Sequence, residues 1–269
     1  MASLSISQAW NETAAFVKRE SGLILPIALL LLAVPAAAMQ LLMPAPPAPG
    51  ETPELGAWLL LIPVVMVASI VGTLAISYLA LRPGTSVGEG LQVGLRRFLP
   101  VFLASILIGL VALAVMIPLA IIFMGGAIAS GNPSAAGGSL ALFALVAMVI
   151  ALTFWVRLML MTPVAAAEDA GPINIIRRSW VLTKGHFWKL LGLVLLMLVV
   201  AMVVIFVISA LVGIFVFMLA GPPDPGSTSF ILMTILSALL SAVFSAVLVT
   251  LLARVYAQLS GSVGTHVPA

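Results

Sequence analysis

Six runs of twenty or more predominantly apolar residues dominate this chain, at 21–43, 55–81, 100–124, 139–161, 190–219 and 230–256. A helix needs roughly 20 such residues to cross a hydrocarbon core of about 30 Å. Inside that core the backbone finds no water, so each run must close its own hydrogen bonds as a helix. The expected fold is therefore all-α and integral to a membrane, with six transmembrane helices. Composition agrees: 63% of residues are hydrophobic and 7% charged, where soluble domains average about 45–50% and about 25%. The fifth run is overlong, which implies tilt or extension past the interface.

The connections between runs are of two kinds. The stretches "PAPPAPGETPE", "GGAIASGNPSAAGG" and "GPPDPGST" contain no Lys or Arg, and their charges are Glu51, Glu54 and Asp224. All 11 basic residues fall on the other side, in or beside the remaining connections and termini. Basic loops stay in the cytoplasm, so a bacterial inner-membrane protein with both termini cytoplasmic is expected. Lys18 and Arg19 followed by an apolar run ending in "PAAAM" imitate a secretory signal. The run is long enough to span, and the residues before it are amphipathic, so an uncleaved first helix is expected. The formal net charge of +3 is explained by topology rather than by nucleic acid, which is not an expected partner.

Laid out in this way, the chain suggests three parallel repeats, at 5–83, 84–170 and 171–259, within a single transmembrane domain. Each would be an interfacial helix followed by a transmembrane hairpin. Trp10, Leu91 and Trp180, spaced by 81 and 89 residues, hold similar places before a spanning run.

The third of these stretches, "AEDAGPINIIRRSWVLTKGHFWKL", is the one crowded patch of charge. Ile173, Ile176, Trp180, Phe187 and Leu191 follow helical spacing. Arg177, Arg178, Lys184 and Lys189 lie mostly beside or away from that stripe. Pro172 suits a first helical turn, and Glu168 and Asp169 precede it, where a helix dipole favours negative charge. The spacing predicts a basic amphipathic helix within 172–189, lying in the interface. Trp180 and Trp188 would anchor it at headgroup depth, and its cations would meet anionic lipid.

The stretch "RLMLMTPVAAAEDAGPINIIRRSWVLTKGHFWKLLGLVLL" places an Arg near the end of a span, then Pro, Glu, "RSW", "LTKG" and a Trp opening the next span. It resembles the membrane domain in front of some bacterial glycerophosphodiester phosphodiesterases, and related stand-alone six-helix proteins. The resemblance implies a fold and a membrane location. In the fused members hydrolysis belongs to a separate soluble barrel, so no activity is carried across.

Chemistry is sparse. There is no Cys and only two His, which excludes thiolate metal sites and Cys nucleophiles and leaves no histidine cluster; no cofactor is expected. No HExxH, GxSxG or phosphate-binding loop occurs. Ser179, His186 and Asp169 could be imagined as a triad, but a structural role is the simpler reading of each. Spanning segments lack Asp, Glu and His, which argues against an ion-coupled pump. Pro26, Pro35, Pro63 and Pro118 lie within spans and could kink them.

Three arginines, Arg82, Arg157 and Arg254, lie near the inner ends of the second, fourth and sixth spans. Each is a candidate for a lipid phosphate or an ion pair, Arg157 with Glu168 in particular; snorkelling to headgroups would also account for them. Ser237, Ser241 and Ser245 repeat every four residues beside Ala238, Ala242 and Ala246, a spacing that suits close helix packing. The expectation is a non-enzymatic inner-membrane protein that interacts with anionic lipid or organises an unknown protein partner. The alternative is a lipid or small-molecule transporter with an uncharged pathway.

Overall fold

The computed structural model describes residues 5–44, 56–130 and 133–261. The loop positions Glu51 and Glu54, and His266, lie outside the described residues. Among the described residues there are helices and turns and no strand. Six helical segments are long and apolar enough to span a membrane: Ile6–Leu42, Trp58–Leu81, Val87–Gly126, Gly137–Ala167, Phe187–Ala220 and Thr228–Ser260. The protein is a six-span, all-α bundle.

The first segment contains α1 (Ile6–Ile27), a π-helical stretch (Ala28–Ala33) and α2 (Val34–Leu42). Ser5 caps α1 by accepting from the Gln8 amide, and Glu20 bends it with φ −107° and ψ 19°. Pro26 lacks an N–H and crowds the turn before it, and the wider π-helical turns follow just after. A short 3₁₀ turn leads into α3 (Leu61–Leu81). Then come α4 (Val87–Ser130), α5 (Pro133–Leu158), α6 (Met161–Ala167), α7 (Pro172–Thr183), α8 (Phe187–Ala220) and α9 (Thr228–Ser260). Ser227 caps α9 through the Phe230 amide, and Gly261, with φ 72°, ends it.

Three boundaries differ from expectation. The amphipathic stretches before the first and third spans are continuous with them, through the Glu20 bend in α1 and straight through Pro100 in α4. Only the third amphipathic stretch is a separate helix, Pro172–Thr183, inside the expected 172–189. Gly185, at φ 89°, turns the chain there, a conformation other residues rarely adopt. The fourth span runs through a break at Met159–Leu160 into α6. Arg157 therefore lies ten residues short of the end of that span at Ala167.

Packing concentrates toward the basic end. One buried cluster joins Ala9, Leu74, Val101, Leu160, Ile175, Leu190 and Val255. A second joins Phe16, Ile24, Ala28, Ile76, Ala242 and Ala246. No described side chain of α4 between 105 and 128, or of α5 between 137 and 155, is buried. Close helix approach depends on small residues. A Cβ on Gly94 would lie 2.7 Å from the Val71 carbonyl oxygen, and one on Gly90 3.4 Å from that of Ala75. On the neighbouring face of α3, a Cβ on Gly72 would lie 3.0 Å from Leu31 Cβ.

The stripe on α9 is displaced by one residue from the serines. Ala238, Ala242 and Ala246 are buried against the first span, whereas Ser241 is exposed. Ser237 donates back to the Thr234 carbonyl of its own helix. The alanines thus make the packing face, because a methyl group permits approach without a polar atom to satisfy.

A candidate functional site at the basic end of the bundle

α7 packs through Ile175, Ser179 and Thr183, spaced four residues apart and all buried. Two of its large apolar residues face the other way, Ile173 at 71% exposed and Trp180 at 39%, while Ile175 is buried and Ile176 half-buried. The expected apolar stripe is thus divided: Ile173 and Trp180 are exposed, whereas Phe187 and Leu191 pack against the buried cluster. In water large apolar side chains turn inward, whereas against lipid they can stay outside while small residues pack. Ser179 donates to the Arg157 carbonyl at 2.8 Å, which ties α7 to α5. Thr183 bonds back to the Ser179 carbonyl at 3.0 Å.

The same spacing recurs. Ala9 and Thr13 are buried in α1, and Gly90 and Gly94 in α4. Thr13 bonds back to the Ala9 carbonyl at 2.7 Å, as Thr183 does to that of Ser179. Ala9 shares a cluster with Leu251 and Val255 of α9, and the Ser5 amide donates to Gln258 Oε1 at 3.2 Å. Each amphipathic segment thus packs on the helix that returns to the same end: the first on α9, the second on α3, and the third on α5 and α6, with α4 against it as well.

Glu168, in the link between α6 and α7, is the polar hub. Its Oε1 accepts from Arg178 Nε at 3.0 Å and from the Tyr256 hydroxyl at 2.8 Å. Its carbonyl, together with that of Ala165 at 2.6 Å, accepts from Arg97 Nη1. Arg97 thereby satisfies carbonyls left open at the end of α6. The hub joins α4, α6, α7 and α9. Asp169, beside it, is exposed.

Arg157 does not pair with Glu168. The break after Leu158 and the seven residues of α6, roughly 10 Å at 1.5 Å per residue, separate them along the chain. Its guanidinium instead lies 5.4 Å from the Trp180 ring centre and 5.5 Å from that of Phe187. Nε and Nη1 are buried with no hydrogen-bond partner among the described residues. Trp180 is also braced by Phe154 at 6.0 Å, edge to face.

The other arginines have different settings. Arg82 is exposed at the end of α3, 5.1 Å above its own Tyr78 ring, with Nη1 3.3 Å from the tyrosine oxygen. Arg254 lies 5.0 Å from Phe16 and buries Nε without a partner among the described residues. Arg177, Lys184 and Lys189 are exposed around α7 and the start of α8, and Trp188 is 80% exposed. No hydrogen bond joins Ser179 to His186 among the described residues. Ser179 is spent on a backbone carbonyl, and His186 Nδ1 is buried without a partner among the described residues. No group of three His, Cys, Asp or Glu able to hold a metal occurs among the described residues.

The Arg157 pocket yields a direct expectation. Arg157→Lys should lower the thermal midpoint in detergent, since a flat guanidinium stacks where an ammonium does not. The loss should be about 1 kcal/mol, the range of a partly desolvated cation–π contact. Arg157→Leu should cost more than Lys18→Leu, because Lys18 is exposed. A midpoint for Arg157→Lys equal to wild type would leave the two rings without an energetic role.

These features describe a multi-pass membrane protein with six spans, braced at one end by a polar hub and aromatic-lined arginines. The chain belongs to the family described as Domain of unknown function (DUF7847), which matches residues 4–259. No curated protein and no solved structure matches it.

Proposed function

We propose that this protein is a non-enzymatic component of the bacterial inner membrane that gathers anionic lipid at its cytoplasmic face. The observation that carries this reading is the outward face of α7. Ile173 and Trp180, with Trp188 just beyond, are exposed beside Arg177, Lys184 and Lys189, while the opposite face is buried. Such a surface suits an interfacial helix. Aromatic rings settle at headgroup depth, and each cation near an anionic surface contributes about 1 kcal/mol. The docking pattern of the three amphipathic segments supports a threefold repeat, in which α7 is the copy released from its span by Gly185.

The test is retention of lipid. Purified protein carrying Arg177→Glu, Lys184→Glu and Lys189→Glu together should retain much less phosphatidylglycerol than wild type, with its thermal midpoint little changed. Arg178 is left intact, because it belongs to the hub. Unchanged phosphatidylglycerol content in the triple variant would refute the reading.

Orientation has its own measurement. Reporter fusions at Pro47, Pro133 and Asp224 should read periplasmic, and fusions at Gly90 and Gly171 cytoplasmic. A periplasmic signal at Gly171 would turn α7 to the wrong side for this role.

A further inference from the structure

Between α5, α8 and α9 lies a cavity of about 390 Å³. Trp155, Leu158, Thr162, Met197, Leu198 and Leu248 are among the residues around it, and no charged residue lines it. Trp155 and Leu198 are 48% and 47% exposed, so the cavity opens sideways between α5 and α8, which touch only sparsely. Met197 and Val194 form part of its closed wall, each buried.

The position of the cavity defines its solvent. Trp155–Thr162 lie in the basic-end half of the fourth span, Val194–Ala201 in the same half of the fifth, and Phe244–Leu252 in that of the sixth. All three helices therefore place it inside the hydrocarbon layer, on the leaflet that meets the basic end. Its mouth faces lipid tails rather than water. An apolar cavity without polar partners does not hold water well, and an empty one forfeits dispersion contacts along its walls.

We propose that this cleft is a binding site for one acyl chain of a bilayer phospholipid, held as a resident ligand distinct from the surrounding lipid. The lining fits a flexible chain. Met159, Met161 and Met197 contribute thioethers that adapt their shape to irregular apolar matter. The site requires a membrane-embedded protein but is independent of the cations on α7, since none of them lines it.

The experiment uses full-length protein in nanodiscs with phospholipids that carry a photoactivatable diazirine in one acyl chain. Two probes are compared, phosphatidylglycerol and phosphatidylcholine, with adducts mapped by mass spectrometry. Wild type should give adducts on the cavity-facing positions of α5, α8 and α9, and excess unlabelled phospholipid should compete them away. Adducts on the exposed side of α8, at Met202 and Phe206, should not saturate.

Ala201→Phe fills the cavity from α8 and should reduce the cavity adducts roughly tenfold, equivalent to about 1.4 kcal/mol of binding. Leu248→Trp fills it from α9 and serves if the first variant does not fold. Val203→Phe, on an exposed position outside the cavity, should change nothing. Equal labelling by the two headgroups would support the chain site while counting against selective gathering of anionic lipid. Labelling by phosphatidylglycerol alone would support both. Adducts confined to α7 with an unlabelled cavity, or cavity adducts indifferent to both filling variants, would overturn the proposal.

Discussion

Gly94→Leu is expected to abolish recovery of monodisperse protein from detergent, and Gly94→Ala to lower the thermal midpoint. The direction is informative because helix propensity argues the opposite. Ala in place of Gly in a helix interior gains roughly 0.5–1 kcal/mol. At Gly94, however, the new methyl would lie 2.7 Å from the Val71 carbonyl oxygen and 3.1 Å from Val71 Cγ1. The obstacle at the shorter distance is backbone, which cannot turn aside as a side chain can. Separating α3 from α4 would also disturb Gly90 against Ala75 one turn away. Overpacking of this kind costs typically 1–3 kcal/mol, more than propensity returns, and Leu adds three further carbons. Gly109, on the same helix, has nothing within 4 Å of its would-be Cβ. Gly109→Ala should therefore raise the midpoint slightly. If Gly94→Ala and Gly109→Ala shift it in the same direction, the α3–α4 crossing is not as close as the geometry requires.

The number and order of the spans were legible because hydrocarbon thickness imposes a length on every apolar run, whatever the partners. Their ends were less so. The residues before the first and third spans are amphipathic, and amphipathic and fully apolar sequence can belong to one helix, as α4 demonstrates from Val87 through Pro100. Gly185 marks the one amphipathic segment that separates completely, and a glycine in "LTKGH" is visible in the sequence.

Which face of a helix packs was the harder question. Ile173 and Trp180 are exposed and Ile176 half-buried, while the fully buried residues of α7 are Ile175, Ser179 and Thr183. A shift also occurs on α9, from serines to alanines. A hydrocarbon solvent removes the penalty for exposing large apolar residues, so the apolar stripe alone does not mark the face that docks. The Glu168 hub was hidden for another reason. Tyr256 lies 88 residues away and Arg97 71, and nothing local announces either partner. A signal did exist in the doubled arginines, Arg96–Arg97 and Arg177–Arg178. The second arginine of each pair reaches Glu168, one through its carbonyl and one through its carboxylate.

Glu168→Ala should be among the most destabilising polar substitutions at this end of the bundle. It removes the acceptor of the buried Tyr256 hydroxyl and releases Arg178 at once. Hydrogen bonds to a charged group are each worth about 1.5–3 kcal/mol. The Arg178 contact belongs at or below the bottom of that range, since both partners are partly exposed. The Tyr256 contact carries most of the effect, and about 2 kcal/mol in total is expected. Tyr256→Phe should reproduce most of the loss, and Arg178→Gln less than about 1 kcal/mol. Arg97 should be unaffected directly, because it binds main-chain carbonyls that an alanine at 168 would still supply. Asp169→Ala is the control, an exposed neighbour of like charge. A double-mutant cycle between Glu168→Ala and Tyr256→Phe isolates the pair. Coupling on the order of 1 kcal/mol places the hydroxyl–carboxylate bond at the centre of the hub. Additive effects, or an Asp169→Ala loss as large as that of Glu168→Ala, would mean that negative charge near the start of α7, rather than this bond, is what the position supplies.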